Sequence, residues 1–538
     1  MNHDRSHHDS PRVVILGAGP TGLGAAYRLK ELGAPDFVVY EANDHVGGLS
    51  HSFTDDAGFT WDIGGHVMFS HYRYYDEVFA RMMGDDYSLI DRESWVRMMG
   101  RWIPYPFQNN IRHLPREVAC ECLLGLVRAQ ASREGALLEA RTFAEFIDAV
   151  FGEGIATRFM HPYNFKVWAH PTSMLNKHWI GERVAVIDVE RAIRNVVLDQ
   201  DDFGWGPNNR FKFPLCGGTG EFYRRIGEFL GTTTVHESPD ARIVLGKRAI
   251  HIDRHAKIVH FDDGSTTRFD HLLSTMPLDV LCTSVIKDAP SNIRRAASSL
   301  LHSSGHMVGV GVRRPCPSTK SWMYFPEENC PFYRVTYLSN YSPFMTPDRT
   351  THYSLLCETS ESVHKPVDAG RIVEETIRGL EAAGLLEPGE RDDIVSTWHY
   401  HADYSYPTPS LDRDAILAEV IPWLESQGIH SRGRFGMWKY EVSNTDHSLM
   451  QGVELVNRIV LGEPETTIGL VYSVTEDGRE TATNHRSNLA GSGDPGHSIT
   501  REREIEAKAG PRTVHAVPKS LYSQGLSEDE LGVSGSEG

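Results

Sequence analysis

The first part of the chain has the pattern of a strand, a glycine-rich turn, a helix and a second strand. The apolar run Val13–Leu16 breaks into glycines, and apolar residues then recur at helical spacing from Gly22 to Leu32. A second apolar run, Phe37–Tyr40, ends at Glu41. Continuous apolar strands beside a helix are typical of a parallel sheet. Residues up to about 75 are therefore predicted to form an α/β domain.

The remaining chain divides into a helical part, a strand-rich part and a last helix. Helical patterns dominate from about 112 to 195, where Thr142 and Glu145 predict a capping box at a helix start. From about 245 to 415, runs such as KIVHF, HMVGVGV and HYSLLCE predict strands, with a hairpin turn at 262–264. A final helix is predicted to end at Gly462. Beyond about residue 490 apolar periodicity is lacking, and we expect disorder.

Composition narrows the functional classes. The chain has 538 residues, enough for two or three domains, and its formal net charge of −18 argues against a nucleic-acid partner. Apolar runs are too short to span a membrane, and the first residues lack the apolar core of a secretory signal. The 7 cysteines have neither redox nor metal-ligand spacing. We expect a cytoplasmic protein with reduced cysteines and no metal centre.

The first glycine turn has the spacing of a dinucleotide-binding loop. Gly17 permits the tight turn, Gly19 lets backbone amides approach a pyrophosphate, and Gly22 lets helix and strand pack closely. Glu41 ends the second strand, where a carboxylate accepts the ribose hydroxyls of an adenosine. A glycine turn in a nucleotide-free α/β domain is the alternative.

A second glycine pair, Gly47 and Gly48, lies a few residues beyond Glu41. This arrangement resembles FAD enzymes of the amine oxidase and glutathione reductase superfamily, in which the loop continues along the cofactor. It favours FAD over NAD, although two glycines alone also occur in plain turns.

Nine further segments resemble the UDP-galactopyranose mutases of the eukaryotic type, in order, within a similarity that runs from about residue 12 to 462. They are DIGGHVMFSHYRYYDEVF, WIPYPFQNNI, PYNFKVWAHPTSM, GERVAV, GWGPNNRFKFP, YFPEENCPFYR, SNYSP, YPTPSL and SRGRFGMWKYEVSNTDHSLMQGVE.

The resemblance implies an α/β fold with a discontinuous Rossmann-like FAD-binding domain, an inserted helical domain and a twisted antiparallel sheet domain that binds substrate. The expected boundaries are 1–10 for a flexible start, 11–83, 219–292 and 432–489 for the FAD-binding domain, 84–200 for the helical domain, 201–218 and 293–431 for the sheet domain, and 490–538 for the tail.

The resemblance also implies an isomerase. The family interconverts UDP-galactopyranose and UDP-galactofuranose by non-redox covalent catalysis through N5 of reduced FAD, and its eukaryotic-type members accept NADPH as the reductant. Three alternatives stay open: a mutase for another nucleotide sugar, an FAD-dependent oxidoreductase of the amine oxidase or desaturase type, and a non-catalytic binding protein. A homo-oligomer is compatible with the sequence.

A nucleotide-sugar site needs cations, aromatic rings and hydroxyl donors. Arg183 and Arg334 are the candidate cations, because a guanidinium binds phosphate through paired hydrogen bonds, and both match the family's diphosphate-binding arginines. Gln108 is a candidate partner for uracil, because an amide both donates and accepts. The other substrate residues implied by the resemblance are Phe69, Tyr105, Phe107, Asn164, Trp168, Asn208, Tyr324, Tyr341, Tyr406 and Tyr440.

The segment GGHVMFSH matches the family's histidine loop beside the flavin. The resemblance places His66 against the flavin ring and assigns it, with Arg183 and Arg334, to catalysis. It places Gly65 at the cofactor and His71 on the substrate side. Asn444, Asp446 and Ser448 precede or begin the last helix, where they are available to cap it and are expected to contact the cofactor.

Overall fold

The computed structural model describes residues 11–180, 183–185, 188–202, 209–234, 241–469, 472–474 and 480–482. The predicted flexible start and the predicted tail lie outside these residues. The helices are α1 (Pro20–Glu31), α2 (Arg73–Met83), α3 (Arg116–Glu139), α4 (Phe143–Ile155), α5 (His161–Trp168), α6 (Val189–Val197), α7 (Gly220–Leu230), α8 (Leu278–Val280), α9 (Ser291–Ala297), α10 (Ile372–Ala382), α11 (Arg413–Ser426) and α12 (Thr445–Leu461).

The strands form one parallel sheet, one large mixed sheet and several small ribbons. They are β1 (Val13–Leu16), β2 (Phe37–Tyr40), β3 (Ser52–Thr54), β4 (Thr60–Asp62), β5 (Tyr87–Asp91), β6 (Ser94–Met98), β7 (Arg101–Pro104), β8 (Arg210–Pro214), β9 (Thr232–Thr233), β10 (Ile243–Val244), β11 (Ala249–Asp253), β12 (Ile258–Phe261), β13 (Thr266–Arg268), β14 (His271–Ser274), β15 (His302–Val312), β16 (Trp322–Tyr324), β17 (Arg334–Tyr337), β18 (Tyr353–Glu361), β19 (Ile394–Pro407), β20 (Ile429–Ser431), β21 (Tyr472–Val474) and β22 (Glu480–Ala482).

The parallel sheet has the order β20-β14-β1-β2-β10-β9 and is covered on both faces. Val13 and Ile15 pack into one core with α1, α7 and α12, whereas Val14 and Leu16 pack into a second core with α9 and α11. Because successive side chains of a strand point to opposite faces, a strand buried on both faces must be apolar throughout. The predicted α/β fold class is confirmed.

Helices α1 and α12 cross at very short distance. A Cβ atom on Gly24 would lie 2.4 Å from the Leu449 carbonyl oxygen, and one on Gly452 would lie 2.0 Å from the Thr21 carbonyl oxygen. Only glycine therefore permits this crossing. Helix α12 is thereby packed directly against α1.

The large sheet has the order β19-β15-β18-β17-β16-β6-β7 and is antiparallel except between β16 and β6. Strands β6 and β7 lie within 84–200, which the sequence analysis assigns to the helical domain, and β5 pairs with β8 instead. Side chains of β6 alternate between buried and half-buried, which is the period of a strand and not of a helix. The sheet thus takes its last two strands from the predicted helical segment.

Three local predictions are confirmed. Thr142 and Glu145 form the capping box of α4, with the Glu145 amide donating to Thr142 Oγ1 over 3.1 Å and the Thr142 amide donating to Glu145 Oε2 over 2.9 Å. The turn at 262–264 joins β12 to β13, and its Gly264 has a φ of +83°. Helix α12 ends at Gly462, which has a φ of +74°.

The chain returns to the parallel sheet earlier than residue 432, the boundary expected from the sequence. Ile416, Val420 and Leu424 of α11 recur four residues apart and pack into the second core, and β20 then pairs with β14. Residues 413–431 therefore belong structurally with the α/β part. Among the described residues, no helix combines the length and the apolar character that crossing a bilayer requires.

Candidate active site

The first glycine turn joins β1 to α1 by a route that side chains would block. Gly17 has a φ of +104°, and its amide donates to the Tyr40 carbonyl over 2.8 Å. A Cβ on Gly22 would lie 1.9 Å from the Gly17 carbonyl oxygen. Helix α1 begins directly after Gly19. The helix N-terminus therefore faces the turn with its unpaired amides, as an anionic pyrophosphate requires.

Glu41 is buried at the end of β2, and backbone amides hold its carboxylate. Its Oε2 accepts from the Ala18 amide over 2.6 Å, and its Oε1 accepts from the Asn43 amide over 2.9 Å. A carboxylate has about four acceptor positions, so two hydrogen bonds leave capacity for hydroxyl donors from the cavity that Glu41 lines.

The second glycine pair packs against the first turn. The Gly47 amide donates to the Ala18 carbonyl over 2.9 Å. Gly48 has a φ of +53°, and a Cβ there would lie 3.3 Å from the Gly19 Cα. Together the two turns form a cradle of bare backbone, which we name the glycine end of the site (Gly17, Gly19, Gly47 and Gly48). This shape fits the diphosphate of FAD.

A cavity of about 980 Å³ runs from the glycine end to a cluster of arginines and aromatic residues. Most residues predicted for the site line it. These are Gly17, Gly19, Glu41, Gly48, Gly65, His66, Phe69, Tyr105, Asn164, Trp168, Arg183, Tyr324, Arg334, Tyr406, Tyr440, Asn444, Asp446 and Ser448. Gly22 and Gly47 shape the turns without lining the cavity.

Arg334, which is partly exposed, forms a bidentate ion pair with the buried Glu358. Its Nε donates to Oε1 over 2.6 Å and its Nη2 donates to Oε2 over 2.7 Å, because β17 and β18 place the two residues directly opposite each other. Burial acts to raise the pKa of Glu358, but Arg334 outweighs it and the pKa is lowered. Glu358 also accepts from the Tyr333 hydroxyl and the Gly65 amide, so one carboxylate positions both the arginine and the histidine loop.

His66 lies next to this ion pair. Burial lowers its pKa to about 4, and Arg334 and Arg434 act in the same direction against Glu358. Its Nδ1 is buried and has no hydrogen-bond partner among the described residues. His66 is therefore a neutral imidazole at pH 7 with one nitrogen available to a bound molecule.

Two further arginines lie against the ring of Tyr440. The Arg183 guanidinium lies 5.0 Å from the ring centroid and its Nη2 donates to Asn444 Oδ1 over 3.1 Å. The Arg434 guanidinium lies 5.6 Å from the same centroid and is held by the Ser405 carbonyl. We name Arg183, Arg334 and Arg434 the arginine end of the site. The sequence analysis missed Arg434, although it stands in the segment SRGRFGMWKY.

Aromatic rings form the walls around the arginine end. Trp168 contacts Tyr440 at 4.8 Å and Tyr406 at 5.7 Å between ring centroids, and Tyr105 contacts Tyr324 at 5.3 Å. Such edge and tilted contacts fix the rings. The Tyr406 hydroxyl lies 3.1 Å from the Tyr333 hydroxyl, which connects the wall to Glu358.

Three predicted substrate residues lie behind this wall and do not line the cavity. Phe107 is buried and stacks on Phe159 at 4.3 Å. Gln108 is buried, and its amide donates to the Ala185 carbonyl. Tyr341 is buried against Phe211 at 5.1 Å. Asn208 lies outside the described residues.

The start of α12 differs from the expected cap. Asn444 occupies the N-cap position, but its side chain does not cap the helix and accepts from Arg183 instead. Asp446 accepts from the His71 amide over 3.0 Å and is paired with His71 Nδ1 over 2.7 Å. Burial acts to raise the pKa of Asp446, but His447 and His71 hold it well below its usual range. Asp446 thus connects the start of α12 to the histidine loop, and Asn444 connects it to Arg183.

The sequence matches the family described as flavin containing amine oxidoreductase over residues 20–435. The structure is similar to a crystal structure of reduced UDP-galactopyranose mutase, with 44% identity, a TM-score of 0.81 and coverage of 86% of this chain and 96% of that one. The chain belongs to the UDP-galactopyranose mutases, within the flavin-containing amine oxidoreductase family. The family and the glycine end together support FAD as the cofactor.

More distant relatives match this chain at lower identity or over a shorter part of its length. Cyclohexylamine oxidase from Brevibacterium oxydans has 15% identity and a TM-score of 0.58 over 84% of this chain and 99% of its own, which shows the fold alone. Polyamine oxidase 1 of Zea mays is 45% identical over 56 residues, 10% of this chain and 11% of the relative. Polyamine oxidase 7 of Oryza sativa is 23% identical over 303 residues, 52% of this chain and 58% of the relative. The matched segments thus span less than two thirds of either polyamine oxidase.

Proposed function

We propose that this protein interconverts UDP-galactopyranose and UDP-galactofuranose with reduced FAD as cofactor. The observation that carries the proposal is that arginines and aromatic rings close the far end of the cavity that begins at the glycine end, in a chain 44% identical to a reduced UDP-galactopyranose mutase. A diphosphate flanked by a sugar and a uracil needs this combination of charge and ring surface.

The glycine end and Glu41 would hold the adenosine diphosphate part of FAD, and Gly65 and His66 would lie beside its ring. When bound, reduced FAD supplies a nucleophile, its N5, so that the sugar is isomerised without net electron transfer. Neutral His66 adds no positive charge there, and its Nδ1 offers one hydrogen bond.

Arg183 and Arg334 would bind the diphosphate as it leaves and returns. Glu358 fixes the plane of the Arg334 guanidinium through Nε and Nη2, which leaves the donors of Nη1 for substrate. Negative charge grows on the departing diphosphate, so these donors stabilise the transition state more than the ground state. Arg434 adds a further positive charge beside Tyr440.

The aromatic wall would exclude water from the sugar. Trp168, Tyr406 and Tyr440 pack on one another, and the Tyr406 hydroxyl, which is paired with the Tyr333 hydroxyl, keeps a lone pair for a sugar hydroxyl. We limit direct substrate contacts to residues that line the cavity. Phe107, Gln108 and Tyr341 would then act by supporting the wall.

An anaerobic turnover count tests the proposal. The FAD-loaded protein is reduced once with NADPH or dithionite, freed of excess reductant and mixed with a large excess of UDP-galactofuranose, while product and flavin absorbance are followed. We expect many molecules of UDP-galactopyranose per flavin with the flavin still reduced, and no product from oxidised protein. Reduction by NADPH in the same experiment tests it as the reductant.

Two outcomes would overturn the proposal. Product that stops at about one per flavin, with the ring reoxidised, would indicate an oxidoreductase like the oxidases among the relatives. Turnover of a different UDP-sugar but not of UDP-galactofuranose would support the mutase chemistry and show that the proposed substrate is wrong.

A further inference from the structure

A cluster of histidines and a carboxylate lies on one face of the large sheet, at the strands β15, β18 and β19. The register pairs His306 of β15 directly with His401 of β19 and pairs Ser304 with Glu361 at the end of β18. Alternate residues of a strand share a face, so His399 stands beside His401. Three strands therefore bring imidazole and carboxylate groups to one place.

The donor atoms of this cluster have the spacing of a metal coordination sphere. Glu361 Oε2 lies 3.0 Å from His306 Nε2 and 3.2 Å from His401 Nε2. The three ligand atoms all lie within 4.8 Å of one another. Zinc bonds of about 2.0–2.1 Å at tetrahedral angles require ligand atoms about 3.3 Å apart. The cluster meets this requirement with small adjustments.

Each histidine also has a partner for its other nitrogen. His306 Nδ1 lies 2.9 Å from His399 Nε2, and His401 Nδ1 lies 3.3 Å from Asp403 Oδ1. In metal sites the second nitrogen of a ligating histidine donates to such an acceptor, which directs the first nitrogen to the ion. The arrangement thus includes the outer partners of a metal site as well as its ligands.

We propose that His306, Glu361 and His401 bind a divalent transition-metal ion of the zinc class. Two imidazoles and one carboxylate favour zinc over magnesium or calcium, which prefer oxygen ligands alone. His306 is buried and His401 is exposed, so the cluster extends from the interior to the surface. The ion would fasten the edge strand β19 to β15 and β18, beside the cavity that His401 and Tyr404 line. This inference does not depend on the proposed function.

Zinc titration of the full-length, FAD-loaded protein tests the site. The protein is freed of metal with a chelator, desalted and titrated with Zn²⁺ by calorimetry, with Mg²⁺ as the comparison ion. We expect one site for Zn²⁺ and none for Mg²⁺. His401→Gln should weaken Zn²⁺ binding more than about 100-fold, and Asp403→Asn, which alters only the outer partner, about 10–100-fold.

The matched control is His255→Gln. His255 is an exposed histidine 3.4 Å from Asp288, and this pair has no second imidazole beside it. Replacing His255 should therefore leave zinc binding unchanged. In His401→Gln the amide can still donate a hydrogen bond to Glu361. If the cluster were only a hydrogen-bonded network, His401→Gln and His255→Gln would therefore bind zinc equally. FAD content and far-ultraviolet circular dichroism establish that each variant is folded.

X-ray absorption of the one-to-one zinc complex identifies the ligands independently. Two imidazoles and one carboxylate, with one imidazole lost in His401→Gln, would support the proposal. The same affinity and spectrum in the wild type and His401→Gln would overturn it, as would zinc held by the histidines at positions 3, 7 and 8.

Discussion

The two ends of the cavity are built in opposite ways. The glycine end is bare backbone from one continuous segment, 17–48, and it is shaped by what side chains would block. The arginine end is made of large charged and aromatic side chains from segments far apart in the chain, and it is shaped by ion pairs and ring contacts. The first end has strict steric tolerances and little charge. The second stores charge that must be balanced when substrate is absent.

Arg334→Ala should have the largest effect, because it removes a cation and leaves the buried carboxylate of Glu358 without a counter-charge. We expect a loss of about 3–5 kcal/mol in the free energy of unfolding, since Glu358 keeps its charge without its partner, together with loss of turnover. Denaturant unfolding and the anaerobic turnover assay measure the two effects.

The double variant Arg334→Ala/Glu358→Gln separates the effect on stability from the effect on turnover. Neutralising Glu358 should restore most of the stability and none of the turnover. A single variant as stable as the parent would mean that the ion pair does not govern the stability of the arginine end.

Arg183→Ala should lower turnover with little change in stability. Asn444, which accepts a hydrogen bond from Arg183, is neutral, so the loss of this hydrogen bond leaves no carboxylate without a counter-charge. Losing the contact between the Arg183 guanidinium and a desolvated diphosphate should weaken transition-state binding by about 2–4 kcal/mol. FAD content should stay at the parent level. Parent-like turnover of UDP-galactofuranose would place the diphosphate elsewhere.

Gly48→Ala addresses the glycine end. A side chain at a φ of +53° costs about 1–2 kcal/mol, and the added Cβ would press on Gly19. We expect weaker FAD binding, measured by fluorescence titration of the apoprotein. Gly389→Ala is the control, because Gly389 also has a positive φ, +89°, with nothing within 4 Å of the added Cβ. Equal FAD loss in both variants would contradict a steric cradle.

His66, between the two ends, should give the smallest effect and a defined pH window. Its pKa is lowered to about 4, so the unfolded chain, in which histidine titrates near 6.5, binds the proton more readily. The stabilising contribution is complete above about pH 6.5 and is lost as the pH falls towards 4. Because the ring is partly exposed, we expect only about 1 kcal/mol. His66→Gln should flatten the pH dependence of unfolding in this window, whereas an unchanged slope would assign it to other groups.

The glycine end could be predicted from the sequence because its contacts are local. The spacing of Gly17, Gly19 and Gly22 encodes the turn, and the distance to Glu41 follows from one helix and one strand. The same holds for the capping box of α4 and the end of α12, where each signal lies within a few residues.

The arginine end could be predicted only in part. Segment resemblance pointed to Arg183 and Arg334, but Glu358 becomes visible only when β17 and β18 pair in register. The apolar and amide character of Phe107 and Gln108 did not reveal that they lie behind the wall. Strands β6 and β7 were missed because short alternating runs beside long helices give a weak signal.

The crossing of α1 and α12 sets the order of events during synthesis. The Arg28 side chain donates to Asn457 Oδ1, 429 positions later in the chain, and Gly24 and Gly452 allow the two helices to touch. At about 5–20 residues per second, a ribosome needs about 20–90 s to make the intervening chain. During that time the apolar face of α1 lacks its final cover. The helix that follows the first glycine turn therefore receives this cover only after Asn457 has been synthesised.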